Sequence, residues 1–199
     1  GMIKRLDEAF GRLLDALRSL HLLENTIVLF TSDHGCHFKT RNAEYKRSCH
    51  DASMRVPMAL NGPGFDSGGR LQEMISLVDV PPTLLDACGI AVPADMQGRS
   101  FAPLTGGRLA DWPEEVFAEI FETNLSRCVR TRRWKYSVRK TEEGPARGSS
   151  WVFREDCLYD LLADPYELNN LSGYASHRAV AEVMKERLIR RMTAAGEQE

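Results

Sequence analysis

Apolar side chains recur at Ile3, Leu6, Phe10, Leu13, Leu14, Leu17 and Leu20. That spacing places them on one face of an amphipathic helix over residues 3–20. Leu22-Leu23-Glu24-Asn25 turns the chain into Thr26–Thr31, an apolar run that predicts a buried strand. Residues 33–53 then lose all periodicity and fill with His, Lys, Arg and Ser. They predict a long loop, and loops of that length inside a domain are usually functional. Val56–Leu60 predicts a second strand, ended by Asn61-Gly62-Pro63-Gly64. Met74–Val78 is apolar enough for a third strand or an extended stretch. Thr83–Cys88 predicts a helix, with Pro81-Pro82 at its start and Gly89 as its stop.

The pattern changes near Gly106-Gly107, which divides the chain into lobes at 1–106 and 107–199. In the second lobe, short β-rich runs lie at Val116–Phe121, Ser126–Thr131, Trp134–Val138, Trp151–Phe153 and Cys157–Tyr159. Their length and spacing predict a small antiparallel sheet. Residues 140–150 read as an exposed loop and 161–171 as a turn-rich segment. Val180, Val183, Met184, Leu188 and Met192 predict a final amphipathic helix. The fold class is α/β: a mostly parallel sheet flanked by helices, with Thr26–Thr31 and Val56–Leu60 as neighbours, plus a small antiparallel sheet carrying the last helix.

Charge and composition narrow the function. A net charge of −2 argues against a generic nucleic-acid binder. The local cluster Arg127, Arg130, Arg132, Arg133 and Lys135 reads as the solvated face of a strand pair. No stretch is long and apolar enough to predict a membrane span. Five cysteines without repeated spacing predict free thiols rather than a disulfide framework.

The candidate chemistry begins where the first strand ends. Thr31-Ser32-Asp33-His34-Gly35 puts a carboxylate and an imidazole at the carboxyl end of a strand, where open α/β sheets bind ligands. A hard anionic oxygen and a nitrogen lone pair make half of a divalent-metal site. Gly35 lets the backbone turn away sharply. Lys46 and His50 are four residues apart and would share a face of a helical turn. A lysine ammonium suits an anionic sulfuryl or phosphoryl oxygen. A histidine can protonate a leaving oxygen. His37 is expected to make a local hydrogen bond. Arg55 is expected to anchor the loop through a carboxylate such as Asp51. Phe38 and Tyr45 read as packing residues, as do Trp112, Trp134 and Trp151. His21 and His177 read as surface positions.

Four ordered segments resemble the sulfatase family of the alkaline-phosphatase-like superfamily. They are Glu24-Asn25-Thr26-Ile27-Val28 running into Thr31–Gly35; Tyr45-Lys46 to Arg55-Val56-Pro57; Val78–Asp86 followed by Gly98-Arg99-Ser100; and Val129-Arg130-Thr131, Trp134-Lys135-Tyr136, Leu158-Tyr159-Asp160-Leu161 and Asp164–Leu171. The resemblance is to the C-terminal part of such an enzyme. It implies a partial alkaline-phosphatase-like core over 1–106 and a small α+β subdomain over 107–199. It also implies one divalent cation, usually calcium, with manganese or magnesium as alternatives, held in part by Asp33 and His34. Lys46 matches the later sulfate-contacting lysine, and His50 is a candidate proton donor. The family's formylglycine motif, Cys/Ser-x-Pro/Ala-x-Arg, is absent from residues 1–199. Cys128-Val129-Arg130-Thr131-Arg132 lacks the middle Pro or Ala. The family's two N-terminal acidic metal ligands are absent too.

The resemblance therefore implies a sulfate-ester hydrolase portion, inactive alone and binding metal weakly, because calcium wants six to eight oxygens. The alternatives are a phosphonate or phosphodiester hydrolase fragment of the same superfamily, or a non-catalytic interaction scaffold. The expected partners are a sulfate-ester substrate in the complete enzyme and either a second copy or a separate N-terminal half. Neither nucleic acid nor a membrane is expected.

Overall fold

The computed structural model describes residues 1–66, 68–107, 111–121, 125–141 and 152–197. Two compact units emerge. The first comprises Gly1–Ser32, Pro57–Gln72 and Leu77–Ala110; the second comprises Asp33–Val56, Glu73–Ser76 and Asp111–Glu199. The polar segment 33–56 thus groups with the second unit.

In the first unit, helix α1 (Met2–Ser19) follows the predicted apolar stripe. Phe10 meets Phe30 edge-on, with ring centroids 5.2 Å apart. No residue of α1 is fully buried, and Ile3 remains 85% exposed. Strands β1 (Val28–Thr31) and β2 (Met58–Asn61) pair as expected but run antiparallel, Val28 opposite Asn61 and Thr31 opposite Met58. The parallel arrangement fails for a physical reason. A parallel return needs a crossover, usually a helix packed on the sheet. The connection here holds only the single turn α2 (Asp51–Met54).

Met74–Val78 forms no strand; Leu77–Asp79 is a 3-10 turn leading into α3 (Val80–Ala87). Gly89, at φ +69°, ends that helix in a left-handed cap. There Gly89 N–H donates to the Asp86 carbonyl and Ile90 N–H to that of Leu85, each at 2.9 Å. The Gly98-Arg99-Ser100 motif closes onto the same helix. Asp79 Oδ1 accepts from Arg99 N–H at 2.9 Å, and Ser100 Oγ donates to Asp86 Oδ2 at 2.6 Å. Helix α4 (Ala102–Thr105) follows, with Leu104 buried.

The second unit is built on an antiparallel sheet of β3 (Glu115–Ile120), β4 (Ser126–Thr131), β5 (Trp134–Lys140) and β6 (Phe153–Asp160), in that order. The two short strands expected near Phe153 and Cys157 are one strand. The charged stretch Arg154–Asp156 reads as a break in sequence, yet Arg154 and Glu155 stand in the ladder opposite Arg139 and Val138. Trp151 and most of the 140–150 loop lie outside the described residues. Helix α5 (Arg178–Ala194) covers one face of the sheet. Ala181, Met184 and Leu188 pack there with Val129, Tyr136, Val138 and Leu158. Val183, expected on the apolar face, is instead mostly exposed. Arg187 and Arg191 each bond Glu115, at 2.7 and 2.9 Å, tying the helix to β3.

Side chains alternate across a sheet, so the other face carries Cys128, Arg130, Lys135, Ser137, Cys157 and Tyr159. It is not the solvated basic face that the sequence suggests. Lys135 is 0% exposed. Arg127, on the α5 side, is also buried, stacked on Phe121 and paired with Glu197 and Glu119. The Asn169-Asn170 motif finishes β6: Leu158 N–H donates to Asn170 Oδ1 at 3.0 Å, and Asn170 Nδ2 donates to the Asp156 carbonyl at 2.9 Å.

Candidate active site

All four residues singled out for chemistry, Asp33, His34, Lys46 and His50, lie in the second unit. Three of them converge. His34 Nδ1 lies 2.8 Å from the Gly35 carbonyl oxygen. A carbonyl only accepts, so that nitrogen carries the proton and Nε2 presents its lone pair. Lys46 Nζ stands 3.0 Å from Nε2 and donates to it. Asp33 Oδ2 lies 3.4 Å from the same nitrogen, while Asp33 Oδ1 accepts from His34 N–H at 2.9 Å. One carboxylate, one imidazole lone pair and one ammonium therefore share a point open to solvent.

The segment's backbone explains how they meet. Gly35 N–H donates to the Ser53 carbonyl at 2.8 Å, and a Cβ on Gly35 would sit 2.1 Å from Ala52 O. Only glycine permits that approach. His37 N–H donates to the Tyr45 carbonyl at 2.8 Å, which brings Lys46 back toward His34. Phe38 and Lys39 take φ of 51° and 61°, an uncommon conformation outside glycine. Phe38 is 81% exposed and Tyr45 is 50% exposed, so neither is the packing residue expected. The Tyr45 ring flanks the site, 6.2 Å from the His34 ring and 5.7 Å from Lys46 Nζ.

His50 goes elsewhere. Residues 46–50 form no helical turn, so Lys46 and His50 do not share a helical face. His50 Nδ1 lies 3.1 Å from Ser48 Oγ, and Nε2 lies 3.2 Å from Tyr159 Oη. Burial, reinforced by the Arg41 and Lys135 cations, lowers its pKa to about 4. His50 is thus a neutral ring with both nitrogens engaged.

Two expectations change. The His37 side chain makes no local hydrogen bond: the residue is 2% exposed, and neither ring nitrogen has a partner among the described residues. Asp51 is held not by Arg55, which is exposed, but by Arg130 and Lys135. Burial would raise the Asp51 pKa, yet those two cations bring it down to about 2.

The residues that sequence reasoning missed are the ones under the segment. Lys135, Glu167, Arg130 and Arg41 were legible only as a basic cluster, part of a turn motif and a loop residue. The signal for Arg130, Lys135 and Glu167 lay in the fourth ordered motif, not in any spacing, and Arg41 falls in none of the four.

For a divalent cation, the donor set supplies Asp33 oxygen and His34 Nε2, the latter with its tautomer fixed by Gly35. Both donors are of the right type. Among the described residues, no group of three or more His, Cys, Asp or Glu converges to complete the coordination.

Known proteins place this geometry in context. The model of the family "N-sulphoglucosamine sulphohydrolase, C-terminal" matches residues 43–194. Arylsulfatase K from Canis lupus familiaris is 33% identical over 183 residues, covering 86% of this chain and 32% of that protein. Endo-4-O-sulfatase from Bacteroides thetaiotaomicron is 31% identical over 205 residues, covering 91% of this chain and 38% of its own length. The chain thus spans about a third of the curated relatives it matches. Among solved structures, a 2-O GAG sulfatase superposes with a TM-score of 0.82 at 28% identity, over 96% of this chain and 41% of that one. A phosphonate monoester hydrolase of Agrobacterium radiobacter superposes with a TM-score of 0.79 at 25% identity, over 98% of this chain and 40% of that one.

Proposed function

The chain belongs to the sulfatase family through the C-terminal part of its fold, and from that premise we propose that it contributes the Asp33–His34–Lys46 site to sulfuric ester hydrolysis. The supporting observation is the 3.0 Å approach of Lys46 Nζ to His34 Nε2, with Asp33 Oδ2 at 3.4 Å from the same atom. In this reading Lys46 binds an anionic sulfuryl oxygen, where fixed positive charge offsets charge developing in the reaction. Asp33 and His34 would hold a divalent cation, calcium by family resemblance, once Lys46 leaves the Nε2 lone pair for the substrate; when bound, the cation polarises a sulfuryl oxygen. His50, neutral, donates from one ring nitrogen and accepts at the other, with Ser48 Oγ and Tyr159 Oη as its two partners. The chain contains no formylglycine motif. We therefore expect no turnover of aryl sulfates by this chain alone, and weak calcium binding.

The test is a titration of the chain with inorganic sulfate, following the His34 ring resonances. A saturable shift that Lys46→Ala abolishes supports the site; an equal response in the variant sinks it. A second reading, phosphonate or phosphodiester hydrolysis, is favoured by the Asp-His pair and by the likeness to phosphonate monoester hydrolase. Methylphosphonate displacing sulfate at lower concentration would favour it.

The exposed apolar stripe of α1 supports a further proposal: association with the N-terminal part of a sulfatase core. Light scattering of the chain alone tests it. A clean monomer that binds no exposed-apolar dye would count against it, and a dimer would point to a second copy instead.

A further inference from the structure

The charged groups beneath the polar segment have no part in the site chemistry above, yet they form a deeply buried ionic cluster. Lys135, 0% exposed, donates to Asp51 Oδ1 at 2.5 Å and also to Glu167 Oε1. Arg130 grips the same Asp51 carboxylate with two bonds, Nε to Oδ1 at 3.0 Å and Nη2 to Oδ2 at 2.9 Å. The second oxygen of Glu167 accepts the Asp51 N–H at 2.7 Å, satisfying an otherwise orphaned donor at the start of α2. The Glu167 carbonyl accepts from Arg41 Nη1 at 2.8 Å, and the Tyr166 carbonyl accepts from Nη2. Glu167 holds this pose at φ +55°, an uncommon conformation for a non-glycine residue.

We propose that Asp51, Arg130, Lys135 and Glu167 form a buried latch that seats the 33–54 segment on the sheet, making Lys135 and Glu167 positioning residues for Asp33, His34 and Lys46; this rests on the reading of that site given above.

Three observations carry it. The segment is gripped at Arg41 and at Asp51, and Lys46 lies between the two. From Asp51 the path to the site is short, because α2 carries Ser53, whose carbonyl accepts from Gly35 N–H beside His34. The cluster is also charge-balanced, two cations against two carboxylates. Burying such a set stabilises no more than apolar residues of equal volume would. What it adds is direction: each carboxylate oxygen has assigned donors, and all are met in one seating only.

The test compares the chain with the double variant Lys135→Met and Glu167→Gln. This removes equal and opposite charges and leaves the Asp51–Arg130 pair whole. Amide hydrogen exchange reads the seating. Protection of Gly35, Asp51 and Ser53 should fall by about tenfold or more, while Val129, Tyr136 and Leu158 keep theirs. The sulfate response of His34 should weaken by a similar factor, and its ring resonances should move as the Lys46 contact is lost. If the double variant does not fold, Glu167→Gln alone, which still accepts the Asp51 N–H, should show the same pattern with smaller amplitude.

Unchanged protection at Gly35, Asp51 and Ser53 overturns the latch. So does an equal loss at Val129, Tyr136 and Leu158, which would make the cluster a general stabiliser. A parent chain that ignores sulfate but shows the expected exchange pattern fails the anion-site reading while the seating stands.

Discussion

The two faces of the four-stranded sheet are both covered, but by opposite chemistry. On one, Val129, Tyr136 and Leu158 meet the apolar side of α5. On the other, Arg130 and Lys135 meet the carboxylates of Asp51 and Glu167. Apolar burial is non-directional and tolerates small shifts. Ionic hydrogen bonds in a low-dielectric interior are directional and fail when one partner is missing. The first face holds the sheet to α5, and the second holds the 33–54 segment through Asp51.

The largest effect should come from breaking the ionic face on one side only. Lys135→Ala leaves Glu167 buried without its cation, and such losses cost ~3–5 kcal/mol. Urea unfolding should show that loss. A cost below ~1 kcal/mol would mean that water takes over the lysine's role.

On the apolar face, Leu188→Ala should cost ~2–4 kcal/mol through the lost contacts and the residual cavity. Its mark should differ in kind. The midpoint falls, but the relative protection of the 33–54 amides against the sheet amides stays constant.

Acid should separate the faces further. His50 has its folded pKa lowered to about 4, so between that value and 6.5 the unfolded chain binds more protons. Stability therefore falls as pH drops through that window. Asp51, lowered to about 2, adds a second loss as pH falls below 3.8. Thermal midpoints measured from pH 7 to 3 should decline in these two stages. His50→Gln should flatten the first and spare the second.

The smallest stability effect belongs to the site itself. Lys46→Ala should change unfolding by no more than ~0.5 kcal/mol, the usual scale for a substitution away from the core. It should nonetheless remove the sulfate response of His34. A large stability loss would recast Lys46 as a structural residue.

Much of this was legible in the chain. The stripes of α1 and α5, the strands around Val129 and Tyr136, and the Asp33-His34-Lys46 trio are visible in local pattern and in the order of family motifs. Periodicity is a local property, fixed by the geometry of helix and strand, so sequence determines it directly. The tertiary structure decided the rest. It turned β2 antiparallel because no crossover helix intervenes. It sent His50 to Tyr159 and Asp51 to Lys135, partners 109 and 84 residues away. It also buried Arg127 and Lys135 out of a basic cluster that the sequence reads as solvated, and left Arg132 and Arg133 exposed. A period of two says which side chains share a face, but not whether water or a carboxylate covers it. That depends on which distant segment packs there, and no local pattern encodes the choice.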